Sequence, residues 1–485
     1  MTQSLLEIAG VTVSAAHYID GERVASGDTF ENFSPIDGRS LGFIHEAGGE
    51  EVDAAVVAAA HAFPAWAALG AGGRKPYLDR FAAEIGKRTD AFCVLESNDA
   101  GVLLSRMRHG VVPRAMQNLQ WFAEHALTLQ DRALDTVQAH HRVRHDPAGV
   151  VAVITPWNSP LMLSTWKIGP ALAAGNTVVL KAPEWAPLTS SLLADCAQAA
   201  GLPRGVFNLL QGSGANTGAK LVGDPRLARV SFTGSVATAK RIAQAAGANL
   251  VPCSLELGGK SPFIVLADAD IDSAAATGAL MYRNAGQVCL AGTRFLVHQA
   301  IAQRFIEAMR GYVEALNIGD PREEGTEVGP IIHARQLERV EGFVERALAR
   351  GATALWGGQA HPYGKLYFAP TMLTNLRQSD EIVQQEVFGP VVTVQLAADE
   401  AQALAMAADV PFALAASVWT RDVGRAMRAT AALRFGAVWV NDHLTSVSEM
   451  PHGGFKQSGY GKDNSTGALD HYTEPRHVML RWSCG

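Results

Sequence analysis

The sequence predicts an α/β fold built on parallel sheet, and two patterns carry this prediction. Strand-like and helix-like segments alternate over most of the 485 residues. The strand-like runs are continuously apolar, as expected when helices cover both faces of a parallel sheet. The 47 glycines stand in pairs and short motifs rather than in low-complexity tracts, which indicates many tight turns between these elements.

Length and composition bound the class of protein. A chain of 485 residues is too long for one simple core, so we expect two or three domains. Hydrophobic residues make up 48% and charged residues 18%, which supplies ample material for a large buried core. The formal net charge of −6 and the lack of a Lys/Arg cluster indicate no nucleic-acid partner.

The cysteine pattern bears on compartment and metal binding. The chain has an odd number of widely spaced cysteines without a CxxC motif, namely Cys93, Cys196, Cys253, Cys289 and Cys484. This pattern argues against a disulfide framework and against a zinc site, so we expect no metal and a reducing cytoplasmic location. The first residues lack the basic region and long apolar stretch of a secretory signal. The uncharged stretch 147–166 contains three prolines, so we predict a buried strand and loop there and no membrane anchor.

In the first half, strands are predicted at 149–154, 177–181, 206–210 and 229–232. One helix is predicted to end at 170–175 and another to span 189–200, each stopped by a glycine. Strand, helix and strand at intervals of about 25–30 residues are typical of a dinucleotide-binding sheet.

A second alternation of elements follows residue 258. Strands are predicted at 261–266, 294–298, 391–394, 416–419 and 437–440, and helices at 271–283, 301–316 and 333–350. The stretch 130–145 alternates in polarity, which predicts a hairpin that stands off the first sheet. The tail from 467 to 482 is predicted to be a strand.

Two residues are candidates for covalent chemistry. Cys289 lies in the sequence GQVC, and a cysteine thiolate is a strong nucleophile, although a free cysteine is more often a small buried hydrophobe. Glu256 lies between leucines and before a glycine pair, so burial would raise its pKa and suit it to act as a general base. The alternative for Glu256 is a surface carboxylate at the end of a strand.

Asn158 follows a predicted buried strand and stands between two prolines in PWNSP. A side-chain amide held in this way could donate a hydrogen bond to a developing oxyanion. The alternative is an ordinary turn in which the asparagine bonds to its own backbone.

A nucleotide site is predicted at the carboxyl ends of the first-half strands. Lys181 and Glu184 follow one strand, where nucleotides bind in open α/β sheets, although they could instead be solvated loop charges. Gly234 and Ser235 end another strand and turn into a helix, which is a plausible pyrophosphate site. No GxGxxG motif follows a strand, and the sequence Gly212–Ser213–Gly214 is too short to replace it.

Taken together, these motifs resemble the aldehyde dehydrogenase superfamily from about Tyr18 to Val478, nearly the whole chain. They stand in the family's order and at its spacing: PWN (156–158), KAPE (181–184), FTGS (232–235), ELGGK (256–260), GQVC (286–289), EVFGP (386–390) and PHGGFKQSGYGKD (451–463). The resemblance is specific because all of these motifs occur together, whereas no single one of them would identify the family.

The resemblance implies a catalytic role for each of the first candidates. Cys289 matches the nucleophile that attacks the aldehyde carbon, and Asn158 with the backbone N–H of Cys289 matches the oxyanion hole. Glu256 matches the base that activates water to hydrolyse the thioester. Lys167 and Asp463 match positions associated with a proton path to that base.

The resemblance also implies NAD as cofactor. Glu386 and Phe388 match residues that hold the nicotinamide ribose and ring. The other positions that match cofactor contacts are Thr155, Trp157, Lys181, Glu184, Gly234, Ser235 and Leu257.

Two departures from the family pattern bear on the cofactor. Ala239 replaces a usual glycine after FTGS, and its methyl group would crowd the pyrophosphate slightly. The family's KPSE is KAPE here, which keeps the lysine and the carboxylate. Because Glu184 would repel a 2′-phosphate, NAD is favoured, with NADP possible.

The family fold implies a Rossmann-like NAD-binding domain, an α/β catalytic domain and a β-hairpin that joins subunits into a homodimer or homotetramer. The corresponding ranges are 1–127 and 146–257 for the NAD domain, 258–443 for the catalytic domain, 128–145 and 466–485 for the oligomerisation hairpin and C-terminal strand, and 444–465 for a substrate-entrance loop that returns to the NAD domain.

The substrate class stays open between two resemblances. The stretch 156–187 is similar to bacterial semialdehyde dehydrogenases of aromatic-ring catabolism, notably the carboxymethyl-hydroxymuconate semialdehyde type. The stretch 447–463 instead resembles aminobutyraldehyde and related aminoaldehyde dehydrogenases.

Arg283 bears on this choice. It occupies the position of an arginine that contacts the substrate carboxylate in succinate semialdehyde dehydrogenases, which would favour an anionic semialdehyde through a bidentate pair. That subfamily has a second arginine where this chain has Trp166. The alternative is that Arg283 pairs with a structural carboxylate. Trp166, Met162, Ser159 and the loop 443–448 are expected to line the substrate entrance.

Three functions are alternatives to NAD-dependent aldehyde oxidation. A CoA-acylating aldehyde dehydrogenase needs no base at Glu256, which argues against it, and ester hydrolysis at Cys289 would be a side activity. A non-catalytic scaffold that retains the fold would be expected to have lost Cys289, Glu256 or Asn158, and all three are present.

Overall fold

The computed structural model describes residues 4–129 and 131–482. Gln130, the first residue of the predicted hairpin, and Cys484 lie outside the described residues. The strands are β1 (Leu5–Ile8), β2 (Val11–Ser14), β3 (His17–Ile19), β4 (Glu22–Val24), β5 (Thr29–Phe33), β6 (Ser40–His45), β7 (Arg132–Asp135), β8 (Ala139–Pro147), β9 (Val150–Ile154), β10 (Thr177–Lys181), β11 (Phe207–Leu210), β12 (Arg229–Gly234), β13 (Cys253–Leu257), β14 (Pro262–Val265), β15 (Arg294–His298), β16 (Thr353–Trp356), β17 (Thr371–Thr374), β18 (Val391–Ala397), β19 (Phe412–Ala413), β20 (Ala415–Trp419), β21 (Ala437–Val440), β22 (Phe455–Lys456), β23 (Gly459–Tyr460) and β24 (Thr473–Arg481).

The α-helices are α1 (Gly49–Ala68), α2 (Gly70–Lys87), α3 (Thr89–Ala100), α4 (Leu104–Arg106), α5 (Val112–His125), α6 (Pro160–Ala174), α7 (Leu188–Ala199), α8 (Ala219–Val222), α9 (Val236–Ala248), α10 (Ile271–Ala279), α11 (Ala302–Glu314), α12 (Ala334–Ala349), α13 (Glu381–Gln384), α14 (Glu400–Ala408), α15 (Val423–Ala432) and α16 (Ser465–His471). A π-helical stretch, Met107–Val111, joins α4 to α5 in one continuous helical segment.

The first sheet has eight strands in the order β23-β13-β12-β9-β10-β11-β3-β4. Strands β9 to β13 pair in parallel, and β23 and β3 join the two ends of this block antiparallel. On β9, Val151 and Val153 face one hydrophobic core, whereas Ala152 and Ile154 face another. Both faces are therefore buried, which is why the strand is continuously apolar.

The second sheet has seven strands in the order β16-β17-β18-β15-β14-β20-β21, all parallel except the β16–β17 pair. Its strands also separate two cores, with Phe263 and Val265 on one side and Ile264 on the other. The α/β prediction is confirmed by these two largely parallel sheets.

The predicted hairpin forms β7 and β8, and β24 pairs with β8 along its whole length. The prediction that 467–482 is all strand was wrong in its first part, because α16 occupies Ser465–His471. Ala468, Leu469 and Tyr472 are all buried in the core that α6 also enters, and their spacing puts them on one face of a helix.

The prediction of a helix over 271–283 was wrong at its end. Helix α10 stops at Ala279, and Arg283 has an extended ψ of 151°. Asn284 and Ala285 follow with positive φ, at +55° and +51°. A 3-10 turn, Leu280–Gly286, follows α10, and its last residue must be a glycine because a Cβ there would be 2.0 Å from the carbonyl oxygen of Gly389.

Among the described residues, no single helix is long and apolar enough to cross a bilayer, and α1 with α2 meets the criterion only as a pair bent by 117°.

Candidate active site

Cys289 lies just after the tight turn at 284–286 and is partly buried. Asn158, beyond the end of β9, donates its side-chain N–H to the carbonyl of Gln287 at 3.0 Å. In return, the side chain of Asn284 donates to the backbone carbonyl of Asn158 at 3.3 Å. These bonds hold Asn158 against the loop that carries the thiol.

The surroundings of Cys289 keep its thiol protonated. Burial, followed by the charges of Glu386 and Glu256, raises its pKa to about 12. At neutral pH the sulfur therefore needs a base to become the thiolate, which is the reactive form. His443 fixes the next residue, since its Nε2 lies 2.8 Å from the carbonyl oxygen of Leu290.

Glu256 lies on β13 and is buried. Within the described chain, neither of its carboxylate oxygens has a hydrogen-bond partner. The imidazole of His452 lies beside it, with Nε2 3.8 Å from Oε2 of Glu256, and burial lowers the pKa of His452 to about 3, so this ring is neutral. Gly453 leaves room for the carboxylate, because a Cβ there would lie 2.1 Å from Oε1. Burial first, and then the charge of Asp463, raise the pKa of Glu256 well above its usual value.

Lys167 and Asp463 form a buried ion pair beside this carboxylate. The Nζ of Lys167 lies 2.9 Å from Oδ2 of Asp463 and 3.2 Å from the hydroxyl of Ser231. Burial raises the pKa of Asp463, whereas Lys167 lowers it. Lys167 likewise lowers the pKa of Glu256, whereas the charge of Asp463 raises it.

The register of the first sheet brings the predicted cofactor residues to one edge. Lys181 pairs with Ile154, Phe232 pairs with Ile154, and Gly234 pairs with Leu257. The carboxyl ends of β9, β10, β12 and β13 therefore stand side by side. Open α/β sheets bind nucleotides at this edge.

Lys181 is buried at this edge, and burial lowers its pKa to about 8. The carboxylates of Glu184 and Glu46 oppose that shift. Glu184 accepts a hydrogen bond from the backbone N–H of Gly214 at 2.6 Å, so the GSG turn at 212–214 does belong to this site. Glu46 accepts from the hydroxyl of Ser213 at 2.6 Å.

Glu46 was missed by the sequence analysis. It stands outside every motif, and no helix was predicted at the position where α1 begins shortly after it.

Ser235 caps α9, accepting from the backbone N–H of Thr238 at 3.2 Å. The hydroxyl of Thr233 is buried without a hydrogen-bond partner within residues 4–129 and 131–482. Ala239 packs into the core at 1% exposure, so its methyl group points away from solvent. A helix N-terminus, an unpaired hydroxyl and the buried ammonium of Lys181 together fit a dinucleotide.

Glu386 and Phe388 lie at the junction of the two sheets. The N–H of Gly259 donates to Oε1 of Glu386 at 3.0 Å, and a Cβ at Gly258 would be 1.9 Å from Oε2. Burial raises the pKa of Glu386 to about 7. Phe388 adopts a φ of +59° and meets Trp157 edge to face, with the ring centroids 5.4 Å apart.

The predicted substrate residues lie on two elements. Ser159, Met162 and Trp166 belong to the first turns of α6 or its cap, and Trp166 meets His452 edge to face at 4.8 Å. Arg283 instead lies on the irregular stretch after α10. Its side chain is 46% exposed, and its Nη2 is 3.3 Å from a carboxylate oxygen of Glu327.

A sequence profile of the aldehyde dehydrogenase family matches residues 23–478. The fold is similar to that of HpcC from Thermus thermophilus, with 39% identity and a TM-score of 0.94 over 98% of this chain and 97% of that one. It is similar to a mutant P. syringae AldA indole-3-acetaldehyde dehydrogenase in complex with NAD+, with 36% identity and a TM-score of 0.95 over 97% of each chain.

A third similar structure is a mutant betaine aldehyde dehydrogenase from Staphylococcus aureus in complex with NAD+. It shows 34% identity and a TM-score of 0.94 over 96% of this chain and 97% of that one. Because the profile spans nearly the whole chain, the protein is an NAD(P)-dependent aldehyde oxidoreductase, and two of these similar structures are complexes with NAD+. The chain belongs to the aldehyde dehydrogenase family.

Proposed function

We propose that this enzyme oxidises a carboxylate-bearing semialdehyde to the acid by covalent catalysis at Cys289, with NAD as the hydride acceptor. The observation that carries the mechanism is the carboxylate of Glu256. It is buried, lacks a hydrogen-bond partner among the described residues and acts electrostatically on the Cys289 thiol. An unsatisfied acceptor near a nucleophile suits a general base.

The first step forms a carbon–sulfur bond. Cys289 gives its proton to a water molecule, which carries it to solvent, the thiolate attacks the aldehyde carbon, and the carbonyl electrons move to oxygen to give a thiohemiacetal. Asn158 supports this step, because its amide has a second N–H besides the one that it donates to Gln287. That N–H and the backbone N–H of Cys289 would hold the developing oxyanion.

Oxidation and hydrolysis complete the cycle. Bound NAD+ supplies the acceptor for the hydride that leaves the thiohemiacetal carbon, which becomes a thioester on Cys289. Glu256 takes a proton from water, the resulting hydroxide attacks the thioester carbon, and the carbon–sulfur bond breaks. The sum is aldehyde, NAD+ and water giving carboxylic acid, NADH and a proton. We assign Lys167 and Asp463 the export of that proton from Glu256.

The dinucleotide would lie along the carboxyl edge of the first sheet. Thr155, Lys181, Gly234, Ser235 and Leu257 are the groups assigned to it there, with Trp157, Glu386 and Phe388 on the nicotinamide side. Glu184 favours NAD over NADP, because its carboxylate would repel a 2′-phosphate.

One arginine near the thiol, unpaired within the described chain, favours an anionic substrate. Arg283 already has Glu327 as a partner, but Arg106 has no hydrogen-bond or ion-pair partner in the described part of the chain, and Cys289 acts electrostatically on it. An uncompensated guanidinium near the reaction centre attracts a carboxylate and repels an ammonium. The exposed Glu449 in the entrance loop is the observation that favours the alternative, an aminoaldehyde.

We further propose the domain division given by the family resemblance, with a homodimer or homotetramer formed through the β7–β8–β24 sheet. Leu134, Met479 and Leu480 on that sheet are exposed, which supports burial against a second copy. The described cysteines are free thiols, which supports a reducing compartment such as the cytoplasm.

The test is NADH formation, followed by absorbance, with NAD and NADP in turn and with succinate semialdehyde, a hydroxymuconate-type semialdehyde, aminobutyraldehyde and benzaldehyde. Cys289→Ala should abolish turnover, whereas Cys253→Ala, which removes another partly buried thiol, should not. Unchanged turnover in Cys289→Ala would refute covalent catalysis at this residue, and preference for aminobutyraldehyde would favour the alternative substrate class.

A further inference from the structure

One face of the helical segment 104–125 carries basic and amide side chains that the catalytic scheme does not use. Arg106 and Arg114 flank the π-helical stretch Met107–Val111. Seven residues of an α-helix make about two turns, and a π-helix accommodates one extra residue, so positions 106 and 114 point in nearly the same direction. Asn118, four residues further on, continues this face.

Arg114 has hydrogen-bonding capacity that nothing in the described chain satisfies. Its Nη2 is buried and has no partner among residues 4–129 and 131–482. Its Nη1 reaches only the side chain of Gln117, at 3.4 Å. The carboxylate that acts on Arg114 electrostatically is Glu449, which is exposed and does not form an ion pair with it. A buried guanidinium nitrogen without an acceptor raises the free energy of the folded protein, and a ligand that supplies an acceptor would remove this cost.

Asn118 and Trp166 also have buried hydrogen-bond donors without acceptors among the described residues. Asn118 is fully buried, and its side-chain carbonyl accepts from the hydroxyl of Ser448 at 2.6 Å. Its Nδ2 has no acceptor in the described residues, nor does Nε1 of the buried Trp166. All three unsatisfied nitrogens are donors, so the group that would satisfy them is an acceptor.

These donors adjoin the reaction centre. His452 lies between the donors and the reaction centre, since its ring is 4.8 Å from that of Trp166 and its Nε2 is 3.8 Å from Glu256. Arg114 is close enough to His452 to lower its pKa. Asn118 bonds to Ser448, at the end of the predicted entrance loop. The donors therefore lie between the entrance and the catalytic carboxylate.

Arg106 adds positive charge on the same face. The carboxyl group that acts on it electrostatically is Glu96, and burial raises the pKa of Glu96 to about 8. Glu96 is therefore mostly protonated at neutral pH and does not neutralise Arg106. The face as a whole is cationic and rich in donors.

We propose that Arg114 and Asn118, with Nε1 of Trp166, bind the carboxylate at the far end of the substrate, and that Arg106 attracts it toward this face. The inference rests on the proposed semialdehyde oxidation and assigns the recognition to Arg114 rather than to Arg283. A guanidinium fork and an amide N–H match the acceptor geometry of a carboxylate, and the aldehyde carbon is then directed to Cys289.

The experiment compares semialdehydes of four, five and six carbons with the unsubstituted aldehydes of equal length. The readout is the ratio of kcat/KM for each carboxylated substrate to that for its neutral counterpart. Arg114→Gln should lower this ratio about 10- to 100-fold, as expected for loss of a charged hydrogen bond, and Arg114→Lys should restore part of it. Arg108→Gln is the matched control, because Arg108 lies on the same segment but pairs with Asp90 and Glu324 at the surface.

A direct binding measurement separates this inference from the proposed function. Glutarate should bind Cys289→Ala enzyme in calorimetry, and Arg114→Gln in that background should weaken binding by a similar factor. A ratio that stays constant, an equal fall for both substrate classes, or a fall caused by Arg283→Ala alone overturns the assignment. If no aldehyde is oxidised at all, the proposed function fails while the glutarate experiment still decides the carboxylate site.

Discussion

Lys167 and Asp463 are 296 residues apart in the chain, yet their charged groups meet at 2.9 Å in a fully buried position beside Glu256. Asp463 raises the pKa of Glu256 and Lys167 lowers it. The pair therefore adjusts the pH at which the proposed base becomes ionised.

Asp463→Asn should move the acid limb of the pH–rate profile to lower pH. The substitution removes the charge that raises the pKa of Glu256 and leaves those of Lys167 and Lys462, which lower it, so the carboxylate stays ionised further into acid. It should also cost about 3–5 kcal/mol of stability, because Lys167 loses its buried partner. The dependence of kcat/KM on pH measures the shift of the acid limb, and urea unfolding measures the loss of stability. Asp79→Asn, at the more exposed pair with Lys75, should change neither, and an acid limb that stays in place would contradict the coupling.

Glu256→Gln should separate the two halves of the reaction. Thiohemiacetal formation and oxidation can proceed, but thioester hydrolysis loses its base, so a burst of NADH should precede a steady rate lowered about 10²- to 10⁴-fold. Stopped-flow absorbance measures the burst. In the unsubstituted enzyme, activity should fall as the pH drops through the raised pKa of Glu256, at higher pH than for an ordinary carboxylate. A uniform slowing without a burst would place Glu256 in an earlier step.

Glu184→Gln should reduce the preference for NAD over NADP. With the negative charge gone, kcat/KM with NADP should rise about tenfold relative to that with NAD, since the loss of one like-charge contact is on the order of 1 kcal/mol. Parallel assays with the two cofactors measure the ratio. Glu22→Gln, on the exposed β4, is the matched control, and an unchanged ratio in Glu184→Gln would remove Glu184 from cofactor selection.

Glu96→Gln should flatten the dependence of stability on pH. Burial raises the pKa of Glu96 to about 8, so the folded chain retains a proton that the unfolded chain releases above about pH 4. The folded state binds more protons, and its stability therefore falls as pH rises from about 4 to about 8, by a few kcal/mol at most. Urea unfolding at pH 5.5, 7 and 8.5 measures the slope. The slope should persist in Glu84→Gln, a control at a partly buried carboxylate paired with Lys87, and its persistence in Glu96→Gln would assign it to other groups.

The apolar strands were predictable from the sequence because burial on both faces leaves a continuous signal. The runs around β9, β10 and β12 start and stop within about two residues of their predicted ends. Helix ends were harder to predict. Helix α10 gives way to a 3-10 turn without a proline at the junction, and α16 packs into the core that α6 also enters, so neither boundary leaves a local pattern.

The site was predictable where chemistry is concentrated in short motifs. Cys289, Glu256 and Asn158 stand in such motifs, and the structure brings the loops that carry them together. Arg106 and Arg114 were not predicted, since their common direction depends on the π-helical stretch between them. At ordinary helical spacing an eight-residue separation would turn the two side chains about 80° apart.

The position of β23 governs when the site can form during synthesis. This strand, residues 459–460, adds to the edge of β13 beside Glu256, and Asp463 follows three residues later. A ribosome must therefore reach residue 463 before the edge of the first sheet is closed and the Lys167 charge is paired. Until then the nascent protein carries an open sheet edge and an unpaired buried cation, so C-terminal truncations before residue 463 should yield aggregating chains rather than slow enzymes.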